Sequence, residues 1–292
     1  MTTRVIIGCS NWRDYAFPLP LTALLWREIA GYEPILLLVG DEHYWSKPAR
    51  SLTSLNAIRE LEFEHYMLGY IYGYEDCTLA QNSRQHAAAL STIPDDEWLM
   101  PSDADLWPLT REFYHQHEIS DKRFVLYYSN GDHYSSFPTC HMTGRAKDWR
   151  ALMGLILPEE KGGMFVIREN PITHCVKNTL EAWLKPRQAG KGPSDAGWEA
   201  WMSDQRIFTE RIKAQTWYPQ EVLMIERKGH PPVDRIDRCC WPINPSVRGM
   251  TDAHLPKAPD QEWDKIRPIV EQLLPNWLSW ADKYRNEFIA GY

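Results

Sequence analysis

The sequence predicts an α/β protein built on a parallel sheet, and three observations predict it. The N-terminal third alternates short apolar, β-branched runs with helix-like stretches. Those runs are apolar throughout rather than at every second position, the pattern of strands buried on both faces. Three polar clusters, Ser10-Asn11, Asp41-Glu42 and Asp103-Ala104-Asp105, fall at the ends of such runs. In open α/β sheets with right-handed crossovers, ligands gather outside the carboxyl ends of the strands.

The elements follow in order. Residues 4–9 (RVIIGC) form the first strand, and residues 21–30, after Pro18 and Pro20, a helix. Residues 33–39 (EPILLLV) form the second strand; residues 51–62 form a helix opened by a Ser or Thr cap. A third strand is expected at 65–72, an Ala-containing helix at 79–91, and a short strand at 97–100 broken by Pro101. Beyond it come a strand at 124–128, a helix at 147–155 and a strand at 164–168. Residues 185–197 are expected as a loop, 198–213 as a helix, 225–259 as a turn-rich stretch, with two helical stretches after it. The expected organisation is one domain over 1–292: a nucleotide-binding half at 1–110, a more irregular half at 111–259 and a helical extension at 260–292.

Composition excludes several classes. A net charge of −7 without a Lys/Arg cluster argues against nucleic-acid binding. No apolar run is long enough for a membrane-spanning helix. The N-terminus lacks a secretory pattern, and the six cysteines contain no C-x-x-C pair, so reduced thiols in a cytoplasmic setting are expected. Fourteen Trp and fourteen Tyr suit stacking on sugar faces and suit a large core equally well.

Asp103-Ala104-Asp105 is the central chemical feature. Two carboxylates in the turn after a strand can hold Mg²⁺ or Mn²⁺ against a diphosphate, whose departure needs charge neutralisation. As a string D-x-D recurs by chance about once in an acidic chain of this size, so its weight comes from the strand–helix units before it. The competing reading is a solvated acidic turn.

The order of elements resembles the GT-A glycosyltransferase superfamily, well over the first 110 residues and loosely beyond. The resemblance implies a Rossmann-like βαβ nucleotide-binding sheet, a nucleotide-sugar donor (a UDP-sugar by default) and a carbohydrate or glycoconjugate acceptor. By position it assigns Cys9, Ser10, Asn11 and Asp41 to the nucleoside, and Arg84, with Gln81 after it, to the donor. It makes Asp103 a donor and metal contact, and Asp105 and His254 further metal ligands. Lys257 would lie on the diphosphate, and Gly144 in a small-residue loop under the donor sugar. The segment Ser203-Asp204-Gln205 resembles the acidic motif beside the acceptor, which makes Asp204 the general base of an inverting reaction. Helical spacing of Trp198, Trp201, Gln205, Phe208 and Ile212 equally describes a core helix. His141, Trp198 and Trp201 are the expected acceptor contacts, and the loop at 188–197 a candidate lid.

The order D-x-D, D-Q, H-x-x-K also resembles the retaining glycogenin-like pattern, departing from it by a missing Gly and by Arg206 in place of an acidic residue. Retention is therefore the alternative. Outside the class stand a Mg²⁺-dependent phosphatase, disfavoured by the absence of an Asp after the first strand, and a non-catalytic sugar-binding protein.

Overall fold

The structure is a computed structural model that describes residues 2–130, 136–155 and 170–291. It opens with β1 (Thr3–Cys9), a short α1 (Arg13–Ala16) and α2 (Pro18–Leu25), which a π turn continues to Ala30. Both prolines sit in the first turn of α2, where a missing N–H costs nothing. Next come β2 (Glu33–Val39), α3 (Glu42–Ser46), α4 (Ala49–Glu60), β3 (Glu64–Leu68) and α5 (Asp76–Ser83), extended by a 3₁₀ turn over Arg84–Ala89. Then β4 (Trp98–Ser102), β5 (Leu106–Pro108), α6 (Arg111–Tyr114), β6 (Phe124–Leu126), β7 (Met142–Arg145) and α7 (Ala146–Met153) follow. The remainder holds α8 (Pro171–Gln188), α9 (Pro193–Trp201), α10 (Ser203–Lys213), β8 (Val222–Met224), β9 (Arg235–Asp237), β10 (Asp252–His254), α11 (Trp263–Leu273) and α12 (Leu278–Ala290).

Among the described residues, seven strands form one sheet in the order β3-β2-β1-β4-β7-β6-β8. The strands β3, β2, β1 and β4 run parallel, β7 is antiparallel to both β4 and β6, and β8 is parallel to β6. The chain winds outward from β1 to β3 and then returns to the other side of β1 with β4. The gap between β1 and β4 is therefore a topological switch point, where α/β sheets bind ligands. The expected α/β architecture is present.

Strand parity divides the core. Val5, Ile7, Cys9, Leu36 and Leu38 face a layer that includes α2, α4, α11 and α12. Ile6, Ile35, Leu37 and Val39 face the layer of α5, α7, α8 and α10. The C-terminal helix is tied to the first layer: Tyr284 donates to the Phe17 carbonyl at 2.8 Å and its hydroxyl shares a hydrogen bond with Ser54.

Several sequence expectations are corrected. α4 begins at Ala49 behind Pro48 without a side-chain cap, because the proline already stops the preceding turn. The expected strand at 65–72 ends at Leu68. Most of the expected 185–197 loop is helical, as the end of α8 and the start of α9, where Pro193 occupies the first turn. That leaves no long lid between them. The expected helix at 198–213 breaks at Met202 into α9 and α10. The strand expected at 164–168 lies outside the described residues.

Candidate active site

A cleft of about 260 Å³ opens at the switch point. Its floor is the end of β1, with Cys9 and Ser10, and the turn after β4, with Asp103 and Asp105. One wall is α5 and its 3₁₀ extension, bringing Gln81 and Arg84. The opposite wall carries Arg238 and His254, and the roof carries Thr139, Trp201, Asp204 and Gln205.

Gly8 sets the approach of α5. A Cβ at that position would stand 2.0 Å from the Ala80 carbonyl oxygen. Only glycine lets the helix lie this close to β1. One turn on, Arg84 is 3% exposed at its side chain and bridges two acids. Its Nη1 donates to Asp103 and its Nη2 donates to Asp204 Oδ2 at 2.9 Å. Burial opposes its charge, but Asp103 and then Asp204 outweigh burial and raise its pKa. Burial likewise works against the Asp103 carboxylate; Arg84 and the Cys140 thiol overcome it and bring its pKa down to about 2. Asp103 is thus an anion at neutral pH, with 34% of its side chain open to the cleft.

Asp204 sits in the first turn of α10, positioned from two sides. Gln85 donates to its backbone carbonyl at 2.6 Å, and Asn82 donates to the neighbouring Ser203 hydroxyl at 2.7 Å. Its Oδ2 also accepts from Thr139 Oγ1 at 2.5 Å, while Oδ1 is buried and has no partner. Burial raises its pKa, against the pull of Arg84 and Thr139. The Gln81 Oε1 is similarly unpartnered. Unpaired acceptors of this kind at a cleft wall suit hydroxyl donors on a ligand.

The D-x-D turn meets His254 through the smaller sheet. β10 pairs antiparallel with β5, setting His254 opposite Leu106, and Leu255 N–H donates to the Asp105 carbonyl at 2.9 Å. The His254 Nε2 lies 3.9 Å from Asp105 Oδ2, and Nδ1 lies 3.4 Å from Asp237 Oδ2. Arg238 Nη2 contacts both Asp105 Oδ2, at 2.5 Å, and His254 Nε2. A guanidinium only donates, so Nε2 accepts and the Nδ1 proton faces Asp237. This tautomer, held by a carboxylate behind the ring, is the one a metal-ligating histidine needs. Two carboxylates and an imidazole lone pair, the donor types a hard divalent cation takes, thus share one lip, with Arg238 between Asp105 and His254. Among the described residues no trio of His, Cys, Asp and Glu side chains is already gathered around one point.

Of the residues singled out in the sequence, Cys9, Ser10, Gln81, Arg84, Asp103, Asp105, Trp201, Asp204, Gln205 and His254 line this one cleft. The others do not. Asp41 caps α3 by accepting from Tyr44 N–H at 2.8 Å, and Asn11 donates to the Tyr44 carbonyl at 3.0 Å, so both fasten the same helix. Gly144 belongs to β7 and not to a loop; its missing side chain makes room for the Phe124 ring. Lys257 is exposed beyond the cleft lining, and Trp198, on α9, also lies outside it.

His141 is a correction. It is buried against Arg235, and burial followed by the Arg235 charge depresses its pKa well below the usual imidazole value. It belongs to a closed ion network behind the cleft. There Arg227 and Arg235 each donate to Asp252 at 2.7 Å, and Tyr114 donates to it at 3.1 Å.

Among the cleft residues that escaped the sequence reading are Gly8, Tyr15, Cys77, Thr139, Cys140 and, last, Arg238. The acid–base alternation of Asp234-Arg235-Ile236-Asp237-Arg238, next to a candidate ligand strand, was the signal for the last.

No protein-family sequence model matches the chain, and no curated protein matches it. In structure it is similar to the glycosyltransferase GlyE of Streptococcus pneumoniae TIGR4, at 10% identity over 77% of this chain and 45% of that one, with a TM-score of 0.39. It is also similar to the galactosyltransferase LgtC in complex with donor and acceptor sugar analogs, at 9% identity over 99% and 96% of the two chains, TM-score 0.43. A third is the WbbM bifunctional glycosyltransferase, at 10% identity over 97% of this chain and 51% of that one, TM-score 0.43. The chain thus spans about half the length of GlyE and WbbM and nearly all of LgtC. These three solved structures are glycosyltransferases.

Proposed function

We propose that this chain is a metal-dependent glycosyltransferase that moves a sugar from a nucleoside diphosphate sugar, a UDP-sugar first, to a hydroxyl of a carbohydrate acceptor. One observation carries the reading. Arg84 ties the D-x-D acid Asp103 to Asp204 across a cleft at the β1/β4 switch point, with Asp105 and His254 on its lip. Acids meant only for solubility do not converge on a buried guanidinium beside unpaired acceptors.

Asp103, Asp105 and His254 would hold Mn²⁺ or Mg²⁺, which when bound supplies positive charge for the leaving diphosphate. Cys9 and Ser10 at the end of β1 form the floor on which the nucleoside lies. Gln81 Oε1 accepts from a sugar hydroxyl, and Trp201, 44% exposed at the roof, stacks on the acceptor ring. The free Oδ1 of Asp204 takes the proton of the attacking hydroxyl, and the burial that raises its pKa improves it as a base. This route inverts the anomeric centre.

A second reading has a specific observation behind it. The other oxygen of Asp204 is committed to Arg84 and Thr139, and the side chain is only 2% exposed. A carboxylate so held suits steadying the sugar from below, which is the retaining alternative. NMR of the product anomer separates the two: a retained configuration removes Asp204 as base.

The class itself is tested by thermal melting with UDP and other nucleoside diphosphates, with and without Mn²⁺. The expected result is stabilisation by UDP that requires Mn²⁺ and disappears in Asp103→Ala and Asp105→Ala. No nucleotide-dependent shift in the unaltered chain would overturn the proposal.

A further inference from the structure

Arg238 stands where a cation would. Its Nη2 fills the gap between Asp105 Oδ2 and His254 Nε2, acceptors that lie 3.9 Å apart. Two donors on one divalent ion of this size are separated by roughly 3 to 4 Å, so the gap has the right span. A guanidinium and a metal ion cannot share it, for steric reasons and because like charges repel. A second observation is the Arg238 Nε, buried and without a partner. The guanidinium therefore keeps an unused donor while it holds the two ligands. With 24% of its side chain exposed, it is also at the cleft surface rather than locked in the core.

We propose that Arg238 is an internal placeholder for the cation. In the metal-free protein it neutralises Asp105 and keeps the His254 lone pair turned toward the cleft. It gives way when the metal enters and turns onto the diphosphate that accompanies the metal, where its fork of N–H groups meets phosphate oxygens. The inference rests on the metal-dependent reading above and adds a coupling to it: displaced arginine makes nucleotide and metal assist one another.

The test measures Mn²⁺ uptake by the loss of the free-ion EPR signal, with and without UDP, in the unaltered chain and in Arg238→Met. Calorimetry follows UDP binding without metal. A placeholder occupied about nine-tenths of the time weakens metal binding about ten-fold, so Arg238→Met is expected to bind Mn²⁺ alone about ten-fold more tightly. UDP should then enhance Mn²⁺ affinity less in the variant, while metal-free UDP affinity stays unchanged.

Equal Mn²⁺ affinity in the two proteins overturns the proposal. So does a fall in metal-free UDP affinity, which would mean that the arginine already serves the nucleotide. If neither protein takes up Mn²⁺ even with UDP present, the metal-dependent reading itself fails and the placeholder with it. Should Arg238→Met not fold, Arg238→Gln provides the same comparison.

Discussion

Two clusters of arginine and aspartate lie side by side in this protein, and they are built differently. In the network behind β10, Asp252 is fully buried and both its oxygens accept from Arg227 and Arg235. Arg227 also reaches Asp234, and its backbone N–H donates to Asn130 at 2.8 Å. In the cleft, Arg84 is as deeply buried, yet the groups around it keep free valences: Asp204 Oδ1, Gln81 Oε1 and Arg238 Nε. Density of charge is common to both. The network too keeps one unpartnered atom, His141 Nδ1; what separates a site from a scaffold is that the residues with spare hydrogen-bonding capacity line a cavity.

This contrast can be broken experimentally. The largest effect belongs to the closed network. Asp252→Asn leaves two buried guanidinium groups short of charge and should cost about 3–5 kcal/mol, read as a lowered urea midpoint. A loss of surface size would show that the network is solvated.

In the cleft, Asp103→Ala should lower kcat by about 10²–10³-fold with a far smaller change in the urea midpoint, because the residue is a third open to solvent. A stability loss matching that of Asp252→Asn would place Asp103 in the scaffold instead.

The framework also has a pH signature. His86 and His117 are buried, and burial lowers the pKa of each to about 4. The unfolded chain protonates its histidines near 6.5, so between about pH 6.5 and 4 it binds protons that the folded chain refuses. Stability should therefore fall as pH drops through that window. Asp252, held below the ordinary carboxylate range by Arg235 and Arg227 against the opposing effect of burial, adds a further loss below about pH 4. Urea midpoints at pH 7, 5 and 3.5 check both signs. A flat profile from pH 7 to 5 would mean that the two imidazoles are charged in the fold.

The smallest expected effect is at the roof. Trp201→Ala should raise the acceptor KM about ten-fold and leave stability within about 0.5 kcal/mol, because the ring is 44% exposed. An unchanged KM would move acceptor binding elsewhere.

The parallel half was legible because local pattern and tertiary fate coincide there. The sequence places β1 within one residue of where it lies and β2 at its observed ends, and Asp103 and Asp105 follow a strand as expected. Arg84 and Asp204 were each singled out in the sequence, though not as partners 120 positions apart. The rest escaped for physical reasons. β9 and β10 have three residues each and exist only through pairing with one another and with β5. No periodicity marks so short a strand, so Arg238 read as part of a turn-rich stretch. His141 and Gly144 misled in the opposite way. Their residue types suggested a binding loop, but β7 carries one as a strand residue and the other, just before it, as a buried partner of Arg235.

The bare Cα of Gly8 has a reach beyond its own strand. It governs how far a guanidinium one helical turn downstream of Ala80 can extend over the acids. A single methyl group at that position, carrying no charge and touching no ligand, would lift α5 away from β1 and slacken the grip of Arg84 on Asp103 and Asp204. The electrostatics of the cleft are in that sense calibrated by an interatomic distance in the apolar interior.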